Sequence, residues 1–226
     1  MGSEMCIRDR FHTADIMGNG RLNSHKTSLS LSKNIQILRN QAPSGGKKIL
    51  LGFSLGGMLA LEWAHRHADE VAGVILINAS LNNSPFYKRL TPYSFKQIAQ
   101  SALMKDLQQR EEKILRMTTS SLPDDSIQNL AQQWGARSQE FPVHSINFFW
   151  QLGIAWQVPQ RPQPPAPVLV LSSGQDRVVD PKCSEKIAST WNLPLVRHPH
   201  AGHDLTLDDP QWTLQQISQF INSGVI

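Results

Sequence analysis

Cysteine is nearly absent: 226 residues contain two, Cys6 and Cys183, and their placement matches neither a disulfide framework nor a zinc-binding pattern. Such usage fits a reducing compartment, so the cytoplasm is the expected location. Long hydrophobic runs are also lacking. The longest apolar stretches, such as Val71 to Ile77 and Val168 to Leu171, fall far short of the roughly eighteen residues a membrane span needs. Charged residues are few, 18% against 40% hydrophobic. That balance excludes disordered and coiled-coil chains and leaves one that can bury a core, most simply as one large domain.

The formal net charge of +4 raises the question of nucleic acid, and its distribution answers it. Residues 1–50 carry eight Lys or Arg against three acids, a surplus of five, and the remaining 176 residues come to 14 minus 15, or −1. The body has no basic stripe of the kind a phosphate backbone requires, so no nucleic-acid partner is expected. The first ten residues, MGSEMCIRDR, lack both the apolar core of a signal peptide and any periodicity. They resemble translated adapter sequence and read as a non-native leader.

From residue 11 onward the chain alternates. A short strand is expected at Phe11 to Asp15, then a glycine-bearing loop, then a helix through Leu31, Ile35 and Leu38. Lys48 to Phe53 reads as a strand, Met58 to His67 as a helix and Val71 to Ile77 as a second strand, a βαβ unit that implies a parallel sheet. Between Leu81 and Gln160 the rhythm stops. Helical patterns at Phe95 to Met117, Ser126 to Trp134 and Val143 to Trp156 carry Phe86, Tyr87, Tyr93, Phe148, Phe149, Trp150 and Trp156, most of which should fill that segment's own core. After a Pro-rich linker come a strand at Val168 to Leu171, a helix at Pro181 to Trp191, a strand at Leu195 to His198 and a helix at Pro210 to Ile221. The expected class is α/β: residues 11–80 and 161–226 form a mostly parallel sheet with flanking helices, and residues 81–160 form a helical insertion.

The chemistry concentrates at Gly52-Phe53-Ser54-Leu55-Gly56-Gly57, a Gly-x-Ser-x-Gly pattern between a strand and a helix. A sharp strand-to-helix turn holds Ser54 in strained backbone geometry, and the flanking glycines let neighbouring chain pass without a Cβ collision. The helix amino terminus beneath favours developing negative charge, and the Leu55 N–H would be an oxyanion donor. A serine nucleophile needs a base and the base an orienting carboxylate. Asp176 follows the strand at Val168 to Leu171, and His203 follows the last strand, in the order Ser, Asp, His. Two rival acids, Asp180 and Asp209, each precede a proline at a helix start and read as N-caps. Asn78-Ala79-Ser80, after the second strand, offers no acid. His198, His200 and His203 have the H-x-H-x-x-H spacing of binuclear metallohydrolases, but Gly202 stands where that family has an acid and no histidine follows, so no metal is expected.

On these motifs the chain resembles the serine-dependent α/β-hydrolase superfamily over essentially Phe11 to Ile226. GFSLGGMLALEWA is similar to its nucleophile elbow, LVLSSGQDRVVDP to its acid loop and AGHDL to its histidine loop. The resemblance implies a Ser54-Asp176-His203 triad, a lid formed by residues 81–160 whose remaining aromatics line an acyl or alcohol pocket, a small ester or thioester as substrate and no cofactor. It also implies further strands ahead of Phe11 and a loop supplying a second oxyanion donor; neither is in the sequence, so a longer gene product is expected, and the chain as given should be impaired. GGMLALEW is similar, too, to the elbow helix of homoserine O-acetyltransferases, which makes acyl transfer the alternative activity. A silent binding protein on the same fold is the non-enzymatic alternative.

Overall fold

Four strands carry the architecture of the computed structural model, which describes residues 11–224. The expected leader, with Cys6, lies outside them. Strands β1 (Lys48–Phe53), β2 (Val71–Ile77), β3 (Val168–Ser173) and β4 (Leu195–His198) form one sheet in the order β1-β2-β3-β4, every pair parallel. The inner strands are nearly continuous runs of Val, Ile and Leu because helices cover both of their faces. Side chains alternate across β2. Val74 and Leu76 join one core with Val170, while Ile75 and Ile77 join the other with Leu169 and Leu171.

Helices α1 (Leu31–Gln41) and α2 (Leu55–Arg66) contribute Ile35, Leu59, Leu61 and Trp63 to the first core. Five helices follow β2: α3 (Phe86–Arg89), α4 (Pro92–Ala102), α5 (Leu107–Thr118), α6 (Asp124–Glu140) and α7 (Ser145–Gln157). The chain then adds α8 (Lys182–Trp191), α9 (Leu205–Asp208) and α10 (Pro210–Asn222). Ile187 and Trp191 of α8 complete the first core, whereas Leu205 and, from α10, Trp212, Ile217 and Phe220 close the second. Among the described residues no helix is long and apolar enough to cross a membrane.

Three expectations need correction. Phe11 to Asp15 forms no strand and joins no sheet. Its backbone is satisfied elsewhere: Asp15 N–H donates to Gln41 Oε1 at 2.8 Å, and Gln41 Nε2 donates back to Asp15 O at 2.9 Å. Among the described residues β1 is therefore an edge strand, and Leu51 in it is 41% exposed. The helical pattern from Phe95 to Met117 is two helices, since Asp106 caps a new start at α5 by accepting from Gln109 N–H at 3.0 Å. Finally, most of the insertion's aromatics do not fill its interior, Phe148 and Trp134 being the ones packed against buried clusters. Leu115, Ile127 and Ala131 do, while Phe86, Tyr87, Tyr93, Phe149, Trp150 and Trp156 are exposed.

One ion pair ties the sheet's base to the helical layer. Glu70 accepts from Arg39 and, at 3.0 Å, from Trp63 Nε1. The Arg39 hydrogen bond outweighs burial and holds the Glu70 carboxyl at about 2, against an ordinary 4.5. Because the folded value is the depressed one, this contribution is complete above about pH 4.5 and drains away as the pH falls toward 2. Glu70→Gln should accordingly flatten the acid limb of a plot of thermal midpoint against pH in that window. The groove beside this pair, lined by Arg39, Pro43, Lys48 and Trp63, sits at the amino-terminal end of β1. Six strand residues, about 20 Å, separate it from Ser54, so it has no part in the chemistry below.

Candidate active site

The turn from β1 into α2 places Ser54 at φ 51° and ψ −118°, a region that side-chain-bearing residues rarely occupy. Two glycines make it possible. A Cβ on Gly52 would lie 2.4 Å from Gly56 O, and one on Gly57 would lie 2.9 Å from Ala79 Cβ. Gly56 differs from expectation: a Cβ there would meet nothing within 4 Å, so the turn's sterics do not require it. The Ser54 N–H donates to Ile77 O at 2.9 Å, which fastens the turn to the end of β2. Leu55 N–H, at the first helical position, stands outside the intrahelical ladder. Gly52→Ala should cost about 1–3 kcal/mol by overpacking, read as a lowered chemical-denaturation midpoint, whereas Gly56→Ala should leave that midpoint nearly unchanged.

Asp176 stands in the loop after β3 and is buried. Its Oδ1 accepts two backbone N–H groups, Val178 at 2.8 Å and Val179 at 2.9 Å. That leaves Oδ2 for His203 Nδ1, 2.7 Å away, and His203 is itself only 4% exposed. A carboxylate only accepts, so Nδ1 carries a proton, and in the neutral imidazole Nε2 keeps its lone pair. The imidazole lies against Phe53, with ring centroids 4.7 Å apart, which brings it to the elbow. Asp176 and His203 are thus joined directly. Ser54 Oγ makes no hydrogen bond to His203 among the described residues.

The rivals take other roles. Asp180 accepts from Lys182 N–H at 2.9 Å and lies 3.7 Å from Lys88 Nζ. Asp209 caps α10 through Trp212 N–H at 3.0 Å and faces His198 Nε2 at 3.2 Å. The Trp212 N–H, more than His198, holds the Asp209 carboxyl below its usual range. His198 Nδ1 accepts from Ala201 N–H at 2.8 Å, so both its ring nitrogens are engaged, and among the described residues no group of three potential metal ligands converges. The Cys183 thiol is buried and pushed up to about 11, chiefly by that burial, so it is a poor nucleophile at neutral pH.

Two residues near the site belong to no sequence motif. Buried Asn78, immediately after β2, has φ 48°; its Nδ2 donates to Ser173 Oγ at 2.9 Å and His203 O at 2.6 Å, and its Oδ1 accepts from Ser173 N–H at 2.8 Å. The only signal was an Asn at a strand end, a residue that tolerates left-handed backbone. Asp208 accepts from Gly202 N–H at 2.6 Å, Ser120 N–H at 2.9 Å and Ser121 N–H at 2.8 Å. Beside it, Thr118 O accepts from Asp204 N–H at 2.8 Å, and Arg177 Nη2 donates to Thr119 O at 2.8 Å.

A family model described as alpha/beta hydrolase fold matches residues 8–210. The pimeloyl-[acyl-carrier protein] methyl ester esterase of Yersinia enterocolitica is 36% identical over 81 residues, 33% of this chain and 30% of that protein, so the chain matches less than a third of that relative's length. A solved structure of a meta-cleavage product hydrolase, CumD, superposes with a TM-score of 0.70 at 17% identity, covering 93% of this chain and 79% of that one. A membrane phospholipase A gives 0.71 at 20% identity over 93% and 69% of the two chains. For a thermophilic esterase from Thermogutta terrifontis the TM-score is 0.59 at 20% identity, over 92% and 78%.

Proposed function

The chain belongs to the α/β-hydrolase fold family, and from that premise we propose that it is a serine hydrolase of small carboxylic esters or thioesters, with Ser54, Asp176 and His203 as its triad. One observation carries the reading: a buried carboxylate, saturated by backbone donors on one oxygen, holds the His203 imidazole at 2.7 Å beside a strained serine. Ester hydrolysis by the Yersinia relative supports the same bond type.

In the proposed cycle Ser54 Oγ attacks the acyl carbon as its proton passes to His203 Nε2, and the Leu55 N–H receives the oxyanion. Collapse of that intermediate breaks the bond to the leaving oxygen or sulfur, which takes the proton from His203. Water then attacks the acyl-enzyme, giving its proton to the same nitrogen, and the acid departs as Ser54 regains a proton. Throughout, Asp176 fixes the imidazole orientation and stabilises its cation. Residues 81–160 form the lid of this proposal, above a small-molecule site, in a protein of the reducing cytoplasm.

A fluorophosphonate probe with mass-spectrometric mapping, run beside p-nitrophenyl ester and acyl-thioester assays, tests this. Covalent addition at Ser54 and release of free acid are expected. A protein that takes no probe and turns over neither ester nor thioester would overturn the reading, and acyl product appearing only with an added alcohol would move it to acyl transfer.

A further inference from the structure

We propose that Asn78 is a positioning residue for the catalytic histidine, a role that rests on the Ser54-Asp176-His203 reading. Among the described residues its amide is the one side chain that bonds both the end of β3 and the histidine loop from the end of β2. Oδ1 accepts from the backbone of Ser173, three residues before Asp176, and Nδ2 donates to the backbone carbonyl of His203 itself. Because the Ser173 N–H only donates and the His203 carbonyl only accepts, the amide's oxygen and nitrogen cannot exchange places without losing both partners, and a second donor contact goes to Ser173 Oγ.

The backbone of Asn78 is engaged as well. Its own N–H donates to Leu171 O at 3.1 Å, and the adjoining Ile77 O accepts from Ser54 N–H at 2.9 Å. Nucleophile turn, acid strand and histidine loop therefore meet at two adjacent buried residues, Ile77 and Asn78. The Asp176 carboxylate fixes the ring through Nδ1, but a ring pivots about its own backbone. The Asn78 amide pins that backbone. Left-handed geometry at φ 48° aims the side chain back across the strand ends, and of the common residues Asn takes that geometry with least penalty after glycine.

The substitutions separate amide from backbone. Asn78→Gly keeps the left-handed geometry and deletes the amide. Asn78→Asp keeps the shape and the acceptor for Ser173 N–H but faces a carboxylate oxygen toward His203 O. A misplaced base of this kind costs about 10²-fold in rate. Both variants should lose kcat on a p-nitrophenyl ester by about that factor, with KM within about two-fold, since the amide touches the imidazole's backbone rather than the acyl group.

A readout independent of turnover is the low-field NMR resonance of the His203 Nδ1 proton, identified by its loss in Asp176→Ala. In both variants it should shift or broaden while circular dichroism stays native. Should wild-type protein fail to turn over any ester, the triad reading fails and the resonance still decides the positioning role. Unchanged resonance in folded Asn78→Gly and Asn78→Asp, or unchanged kcat in an active background, overturns it. If Asn78→Gly does not fold, Asn78→Asp alone decides by the same two measures.

Discussion

Ser54→Ala is expected to remove ester hydrolysis almost entirely, by a factor on the order of 10⁶ in kcat, the scale seen when a triad nucleophile is deleted. The whole loss should fall on chemistry. Ser54 Oγ makes no hydrogen bond among the described residues, and its backbone N–H bond to Ile77 O survives the substitution. Alanine must still accept φ 51°, so a small decrease in thermal midpoint is expected without loss of fold. The measurements are initial rates on p-nitrophenyl butyrate, fluorophosphonate labelling and a melting curve. A variant that keeps more than about 1% of wild-type kcat would place the nucleophile elsewhere, because the oxyanion donors and binding alone leave far less.

Asp176→Asn should lower kcat by about 10⁴-fold with the structure intact. The reason lies in how the two carboxylate oxygens are used. Oδ1 serves two backbone N–H groups, so the amide oxygen of asparagine must take that place, which turns the amide NH2 toward His203 Nδ1. Nδ1 then becomes an acceptor and the ring proton moves to Nε2, the nitrogen that should receive the serine proton. The variant would hold a well-ordered histidine in the wrong tautomer. Nitrogen NMR of the imidazole can read that tautomer directly, and a kcat within ten-fold of wild type would show that Asp176 does not orient the base.

Much of this was legible because local and global signals agreed. The run Lys48 to Ile77 has a strand of aliphatic residues, glycines at the turn and a buried helical face, each specifying the same βαβ unit. Val71–Ile77 and Leu195–His198 appear with the bounds read from their patterns. Asp176 and His203 were readable by order along the chain, and the structure brings them together at 2.7 Å. What could not be read depended on partners distant in sequence. Phe11 to Asp15 has the composition of a strand, but a strand exists only with a neighbour, and here Gln41 satisfies Asp15 instead. The aromatics of residues 81–160 look like core by hydropathy, although the solvent-facing side of α7 carries Ile146, Phe149, Trp150 and Trp156 in one stripe. Asn78 and Asp208 bond mainly to backbone groups, which leave no trace in side-chain identity at the other end.

The short segment Thr118 to Ser121 joins α5 to α6, and both loops that carry the acid and the histidine are bonded to it, through Arg177 on one side and Asp204 and Asp208 on the other. These bonds anchor the α5–α6 turn to both loops. On the proposed reading, the α5–α6 hairpin would have to break these bonds to swing away from the sheet, so an opening that spares the proposed base is expected on the far side, where α3, α4 and α7 carry exposed aromatics. Hydrogen exchange should therefore divide the insertion in two, with slow amides at Ser120 and Ser121 and faster ones along α4.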